Sequence, residues 1–157
     1  MSRQSRRLAG ILLVLFPTVI YGGVTLLRLL IDASSGYVDN PIRQNLWRAG
    51  HAHAGVLLIL SLVVLRYVDA ATLPDGLKSF VRHAPPAAAI LLPVAYFLSV
   101  LSPTATEPNA LIYLAFVGAV ILAAGLLTLG VGLLRKPSPS DWPEAERPET
   151  AAGSRGR

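Results

Sequence analysis

Cysteine is absent from this chain of 157 residues, which also contains only one methionine and three histidines. Without cysteine there can be no disulfide, no thiolate metal site, no iron–sulfur cluster and no covalent attachment of a c-type heme. Any metal or heme that the chain binds must therefore be held by His, Tyr, Met or carboxylate side chains.

Charged residues are also scarce, at 15% of the chain, whereas hydrophobic residues make up 53% and the mean hydropathy is +0.54. These values are too apolar for a typical soluble domain and indicate a small polytopic membrane protein. The net charge of +5 does not indicate a nucleic-acid partner. Most Lys and Arg residues lie beside hydrophobic segments, where they act as topology signals.

Four apolar segments are long enough to cross the hydrocarbon core of a bilayer. They predict an all-α domain of four transmembrane helices within residues 1–136, at about residues 8–31, 49–65, 86–101 and 110–134. The prolines at positions 85, 86 and 93 should distort the third helix. Residues 137–157 are rich in proline, charge and small side chains, and a disordered cytoplasmic tail is predicted there.

The basic residues predict how the helices are oriented. Eight of them fall on one side of a four-helix topology: Arg3, Arg6, Arg7, Arg66, Lys78, Arg82, Arg135 and Lys136. Arg43 and Arg48 are expected in a loop on the other side, and His83 in a cytoplasmic loop. The positive-inside rule then places both termini in the cytoplasm of a cell with a bacterial-type inner membrane. The first apolar run is too long for a cleaved signal peptide.

The segment WRAGHAHAG, residues 47–55, places His51 and His53 inside the second expected helix. Ionisable groups in a membrane helix usually face a protein interior or a bound group. Residues two positions apart on a helix are rotated by about 200° around its axis, so the two imidazoles point in nearly opposite directions and cannot both bind one metal ion. Neighbouring small residues would let another helix or a flat cofactor approach closely: Gly50, Ala52, Ala54 and Gly55. Either one imidazole binds heme, or both are core histidines that bond a carbonyl or hydroxyl.

The depth of polar residues favours a site in the outer half of the bundle. At 1.5 Å per residue, His53 and Tyr96 lie roughly 10 and 9 Å below the expected outer helix ends. A polar layer shared by several helices is typical of a site in a bundle core, and three further residues fall in this layer: Arg28, Ser99 and Tyr113. Arg28 is expected to extend outward to the interface. Tyr113 is expected to be an anchor or a packing residue, and by position alone Tyr96 could also be an interfacial anchor. Arg43 and Arg48, at the outer rim, are candidate partners for heme propionates.

Two segments resemble those of styrene oxide isomerases, which are small four-helix membrane enzymes. WRAGHAHAG is similar to the Trp-x-Arg-Ala-His-Ser-Gly segment that opens their second helix, with His53 and Gly55 aligned to its His and Gly. YFLSVLSP, residues 96–103, is similar to the Tyr-Leu-Phe-Ser-x-Phe-Ser-Pro segment that closes their third helix. The four-helix layout matches over about residues 8–135. The resemblance implies a homotrimer with ferric heme b between subunits, His53 as axial ligand and Tyr96 facing the substrate.

The resemblance further implies an isomerase that opens a small apolar aryl epoxide to an aldehyde, with iron as a Lewis acid. Ile59 stands where the family has an asparagine that helps to position the substrate. Two other functions stay open. One is a non-catalytic heme protein, such as a sensor, a carrier or an electron-transfer subunit, in which His51 of an adjacent subunit is a second axial ligand. The other is a heme-free accessory subunit.

Overall fold

Four long helices make up most of the computed structural model, which describes residues 1–136 and contains no strand within them. Their bounds are α1 Arg3–Ile31, α2 Pro41–Tyr67, α3 Asp75–Ser99 and α4 Leu114–Leu134. Each is long and apolar enough to cross a membrane. The expected all-α architecture is therefore confirmed. The tail expected at residues 137–157 lies outside the described residues.

The first three helices begin earlier than hydropathy alone predicted. Polar capping residues set the starts of α1 and α2, and α3 begins directly after Pro74. The Ser2 side chain accepts from the amide of Ser5, and the Asn40 side chain accepts from the amide of Arg43 with Pro41 in the first turn. Both are favourable N-terminal arrangements that carry no hydrophobic signal. Several residues expected in loops consequently lie in helices: Arg43 and Arg48 in α2, and Lys78, Arg82 and His83 in α3.

Helix α3 continues through all three of its prolines, Pro85, Pro86 and Pro93. Each proline removes one backbone donor, which would weaken an isolated helix. Here α3 packs along α2 on one side and α4 on the other, and Pro85 and Pro93 are buried in those contacts. Tertiary packing on two sides therefore keeps the helix continuous.

The core is built from aliphatic side chains along these consecutive helix pairs. One cluster joins α1, α2 and α3 around Leu12, Leu57 and Leu92, and a second joins α2, α3 and α4 around Val64 and Leu129. Helix α1 packs mainly against α2, and most of its apolar side chains stay exposed. Such a surface suits lipid or another protein chain rather than water.

Glycines orient α4 against α3. Gly118, Gly125 and Gly132 recur every seven residues on one face. A Cβ placed on Gly125 would lie 2.6 Å from the Cβ of Ala84 in α3. The backbone of Gly125 therefore packs directly against the methyl group of Ala84, a close approach that small residues allow between membrane helices.

A polar network ties the helix ends together where the chain begins. Arg82 donates from Nη2 to the Asp69 carboxylate at 2.8 Å and from Nε to the Ser5 hydroxyl at 3.1 Å. The Thr72 amide donates to the carbonyl of Gly132 near the end of α4 at 2.8 Å. The start of α1 and the end of α4 thus lie at the same end of the bundle, as the basic residues require.

Candidate functional site

Helix α2 presents one continuous face outward. Its exposed residues recur every three or four positions: Asn45, Arg48, Ala52, Val56, Ile59 and Val63. His51 and His53 lie on the two flanks of this face, His51 toward α1 and His53 toward α3. The two rings therefore point to opposite sides of α2, as their spacing predicted.

The His53 imidazole is fixed by its own helix. Its Nδ1 lies 2.7 Å from the carbonyl oxygen of Ala49, one turn earlier. Because a carbonyl can only accept, Nδ1 carries a proton, which leaves Nε2 as the nitrogen that can bind a metal. This Nε2 has no hydrogen-bond partner within residues 1–136. A histidine that binds a metal is typically held in this way through its other nitrogen.

Tyr96 of α3 lies beside His53. Their ring centroids are 5.2 Å apart and the planes are tilted by 49°. Gly50 allows this approach, because a Cβ there would lie only 3.1 Å from the Cβ of Tyr96. His53 and Tyr96, which were expected only at similar depth, are thus in contact within a single chain.

The polar atoms of this pair can be reached from outside the chain. In the described part of the chain, the Tyr96 hydroxyl forms no hydrogen bond, and every buried side-chain nitrogen or oxygen has a partner. The Tyr96 hydroxyl and the His53 Nε2 must therefore be accessible. The Tyr96 hydroxyl offers a donor and the His53 Nε2 offers a Lewis base, on two rings that are in contact.

His51 sits in a notch of α1 made by two glycines. A Cβ on Gly23 would lie 3.1 Å from the His51 Nε2, and one on Gly22 would lie 3.6 Å from its Nδ1. Among residues 1–136 the ring has no hydrogen-bond partner, so the alternative in which both imidazoles bond a carbonyl or hydroxyl applies to His53 alone. Gly55 also faces α1, near Val19. A cofactor contact of His51 or Gly55 would therefore lie on the α1 side.

The two arginines proposed as propionate partners differ in environment. Arg43 is buried, lies 4.3 Å above the Trp47 ring, and donates to the carbonyls of Val100 and Leu101. Arg48 is exposed on the outward face of α2. Both guanidinium groups also act on the buried phenol of Tyr37 in the preceding loop. Burial raises the pKa of Tyr37, and the positive charges of Arg48 and Arg43 oppose that rise. Arg48 is therefore the arginine that remains accessible to an anionic group.

Only part of the expected polar layer lies next to the site. Ser99 is buried and donates to the Tyr96 carbonyl at 3.3 Å. Arg28 is exposed on α1, and Tyr113 is exposed and stacks near Phe116. The layer is therefore not one shared core, because Arg28 and Tyr113 face outward.

Trp47 is a residue whose role the sequence did not reveal. Its indole Nε1 donates to the carbonyl of Phe97 at 3.2 Å, and the two rings meet edge to face. This contact holds the α3 turn that follows Tyr96. An aromatic residue one and a half turns before His53 is a weak signal for such a contact, since nothing local specifies its partner.

The donor set suits a cofactor that needs one protein ligand. Within residues 1–136, no group of three or more His, Cys, Asp or Glu side chains is placed to hold a bare metal ion. Ile59, which the sequence resemblance aligns with an asparagine, is 52% exposed on the outward face of α2. A pocket that contains both His53 and Ile59 would need a second molecule to close it.

Comparisons with known proteins identify no relative: no family model, curated protein or solved structure matches this chain.

Proposed function

We propose that this protein is a multi-pass membrane protein that binds heme b through His53 and isomerises a small apolar epoxide to an aldehyde. The observation that carries the proposal is the geometry of one imidazole. Its Nδ1 is bonded to Ala49, its Nε2 is unpaired, and its ring lies 5.2 Å from that of Tyr96.

The residues present fit a heme. A porphyrin supplies four nitrogen ligands of its own, so one accessible imidazole nitrogen is a sufficient protein donor. On the outward face of α2 next to His53, the exposed residue Ala52 has a small side chain, and the exposed Arg48 could pair with a propionate. When bound, ferric heme would supply a Lewis acid for an epoxide oxygen.

The chain itself would orient the substrate. The Tyr96 hydroxyl donates a hydrogen bond to the epoxide oxygen and fixes its position. The benzylic carbon–oxygen bond breaks, a hydride shifts to that carbon from its neighbour, and a carbonyl forms on the neighbour without net oxidation. Apolar surroundings keep water from the cationic carbon.

A second copy of the chain would complete the site. His53 and Tyr96 are half-buried beside an outward face that carries Ile59. The homotrimer implied by the sequence resemblance would cover this face and sequester the substrate. This arrangement supports a site between subunits.

The alternative is a non-catalytic heme protein, which Ile59 favours. An isoleucine cannot donate the hydrogen bond that the family's asparagine makes to the substrate. A sensor, carrier or electron-transfer subunit would not need that group.

Heme titration of the detergent-purified protein tests the proposal. We expect a Soret band that saturates with added heme, in the protein and in the control H83Q, because His83 is exposed and bonds Ser79 elsewhere on α3. We expect H53A to bind heme at least tenfold more weakly. Equal binding by H53A would overturn the proposal. A six-coordinate low-spin spectrum without aldehyde formation from styrene oxide would instead establish the non-catalytic alternative.

A further inference from the structure

A cavity of about 280 Å³ lies between α1 and α3, at the end of the bundle where the chain begins. One helical face of α1 forms one wall, with Gln4, Arg7, Leu8 and Ile11. One face of α3 forms the other wall and contains Ser79, Arg82 and His83. This cavity is separate from the His53–Tyr96 site, which lies near the opposite ends of these helices.

The α1 wall of the cavity changes from polar to apolar along its length. Gln4 and Arg7 lie near the start of α1, at the mouth of the cavity, and are followed by Leu8 and Ile11. The α3 wall is polar throughout, with Ser79, Arg82 and His83. Because α1 and α3 both start at this end, moving along them leads toward the middle of the bundle. A ligand that follows the α1 wall inward therefore meets polar groups first and apolar side chains after them.

The charge at the mouth favours an anion. Arg82 uses all three of its donor nitrogens within the chain, on Ser5, Gln4 and Asp69. It forms the one ion pair within residues 1–136, so its charge is balanced. Arg7 is exposed and has no acidic partner in that range.

A hydrogen bond from Arg82 also leaves one donor of Gln4 available to a ligand. By bonding the Gln4 carbonyl oxygen it leaves the Gln4 amide NH₂ free to donate toward the cavity. The His83 Nδ1 lies 2.8 Å from the carbonyl oxygen of Ser79 and donates to it, so this nitrogen is not available to a ligand. The guanidinium of Arg7 can bond two oxygens of one phosphate group.

We infer that this cavity binds one anionic phospholipid, with its phosphate at Arg7 and one acyl chain along Leu8 and Ile11. The inference goes beyond heme binding and rests only on insertion of the four helices in a bilayer. Basic pockets between membrane helices recognise anionic headgroups through the same chemistry. A free phosphate would use the mouth but leave the apolar wall exposed, so a lipid matches the whole cavity.

Native mass spectrometry of the delipidated full chain tests the inference. We expect one phosphatidylglycerol to bind at least tenfold more tightly than phosphatidylcholine with the same acyl chains. R7Q should weaken phosphatidylglycerol binding about fivefold, the loss expected for one arginine near an anionic headgroup. The matched control R6Q should bind normally, because Arg6 is exposed but does not line the cavity.

A second variant tests the cavity without changing charge. S79W should fill the space and abolish phosphatidylglycerol binding, whereas the heme spectrum of this variant stays unchanged. Equal losses in R6Q and R7Q would show general surface attraction and overturn the inference. Competition by glycerol 1-phosphate at the same concentration as the lipid would overturn it too, since the apolar wall would then contribute nothing.

Discussion

Arg43 near the start of α2 donates from Nε to the carbonyl oxygen of Val100 at 3.2 Å, across 57 residues of sequence. This bond belongs to a continuous series, because the carbonyl oxygens of residues 96–101 each accept a hydrogen bond. The donors are Ser99, Trp47, the side chain and backbone of Asn109, and Arg43 itself. The last carbonyls of a helix otherwise lack partners, which is costly away from water.

This series predicts that Arg43 stabilises the site from a distance. R43Q removes the charged donor from the carbonyls of Val100 and Leu101 and its stacking on Trp47. We expect the free energy of unfolding to fall by about 2 kcal/mol, as for a lost hydrogen bond to a charged group. Thermal unfolding in detergent, followed by near-UV circular dichroism, measures the change.

The matched control is R48Q, since Arg48 is exposed and one and a half turns further along α2. R48Q should unfold at the temperature of the parent protein. An equal loss in both variants would mean that positive charge in α2 matters, rather than the bonds that Arg43 makes.

The contact between α4 and α3 predicts a sharp difference between two glycines of one helix. G125A places a methyl group 2.6 Å from the Cβ of Ala84, a contact that only a shift of the helices can relieve. We expect a loss of about 1–3 kcal/mol, as for an overpacked core. The methyl group added in G130A has no atom within 4 Å. This variant should therefore unfold at the temperature of the parent protein or at a slightly higher one. Thermal unfolding in the same detergent measures both variants. Equal losses of stability in G125A and G130A would contradict the close approach of α4 to α3 at Gly125.

Hydropathy and helix geometry predicted the four spans and the opposite directions of the two imidazoles, because both depend on local spacing. Counting depth along two helices predicts that His53 and Tyr96 lie at the same level, but not that their rings are in contact, because depth does not specify which faces of the helices meet. The partners of Arg43 cannot be predicted from the sequence, because they lie in a distant segment. In addition, the first turn of α2, which contains Arg43, is polar and gives no hydropathy signal for a helix. The notch for His51 was equally hidden, because glycines in α1 do not indicate which neighbour fills them.

That notch predicts a coupling between α1 and α2. In G23V, the added side chain meets the His51 ring, which lies 3.1 Å from a Cβ at this position. We expect G23V to destabilise the protein, and the double variant G23V/H51A to recover most of the loss, because alanine vacates the space. A double-mutant cycle on unfolding free energies should give a coupling of about 1 kcal/mol or more. The control is G10V, because a Cβ at position 10 has no atom within 4 Å. Additive effects of the changes at positions 23 and 51 would refute the contact between Gly23 and His51.

The proposed catalytic role of Tyr96 predicts a separation of turnover from heme binding. Y96F keeps the ring that lies against His53 and removes only the hydroxyl, which has no hydrogen-bond partner in residues 1–136. Stability and heme affinity should therefore match those of the parent protein. Loss of an oriented donor to the reacting oxygen should lower kcat for epoxide isomerisation about 10²-fold. Aldehyde formation from styrene oxide measures turnover and the Soret titration measures heme affinity. Unchanged kcat in Y96F would remove Tyr96 from the mechanism, whereas loss of heme in Y96F would show that its hydroxyl holds the cofactor and not the substrate.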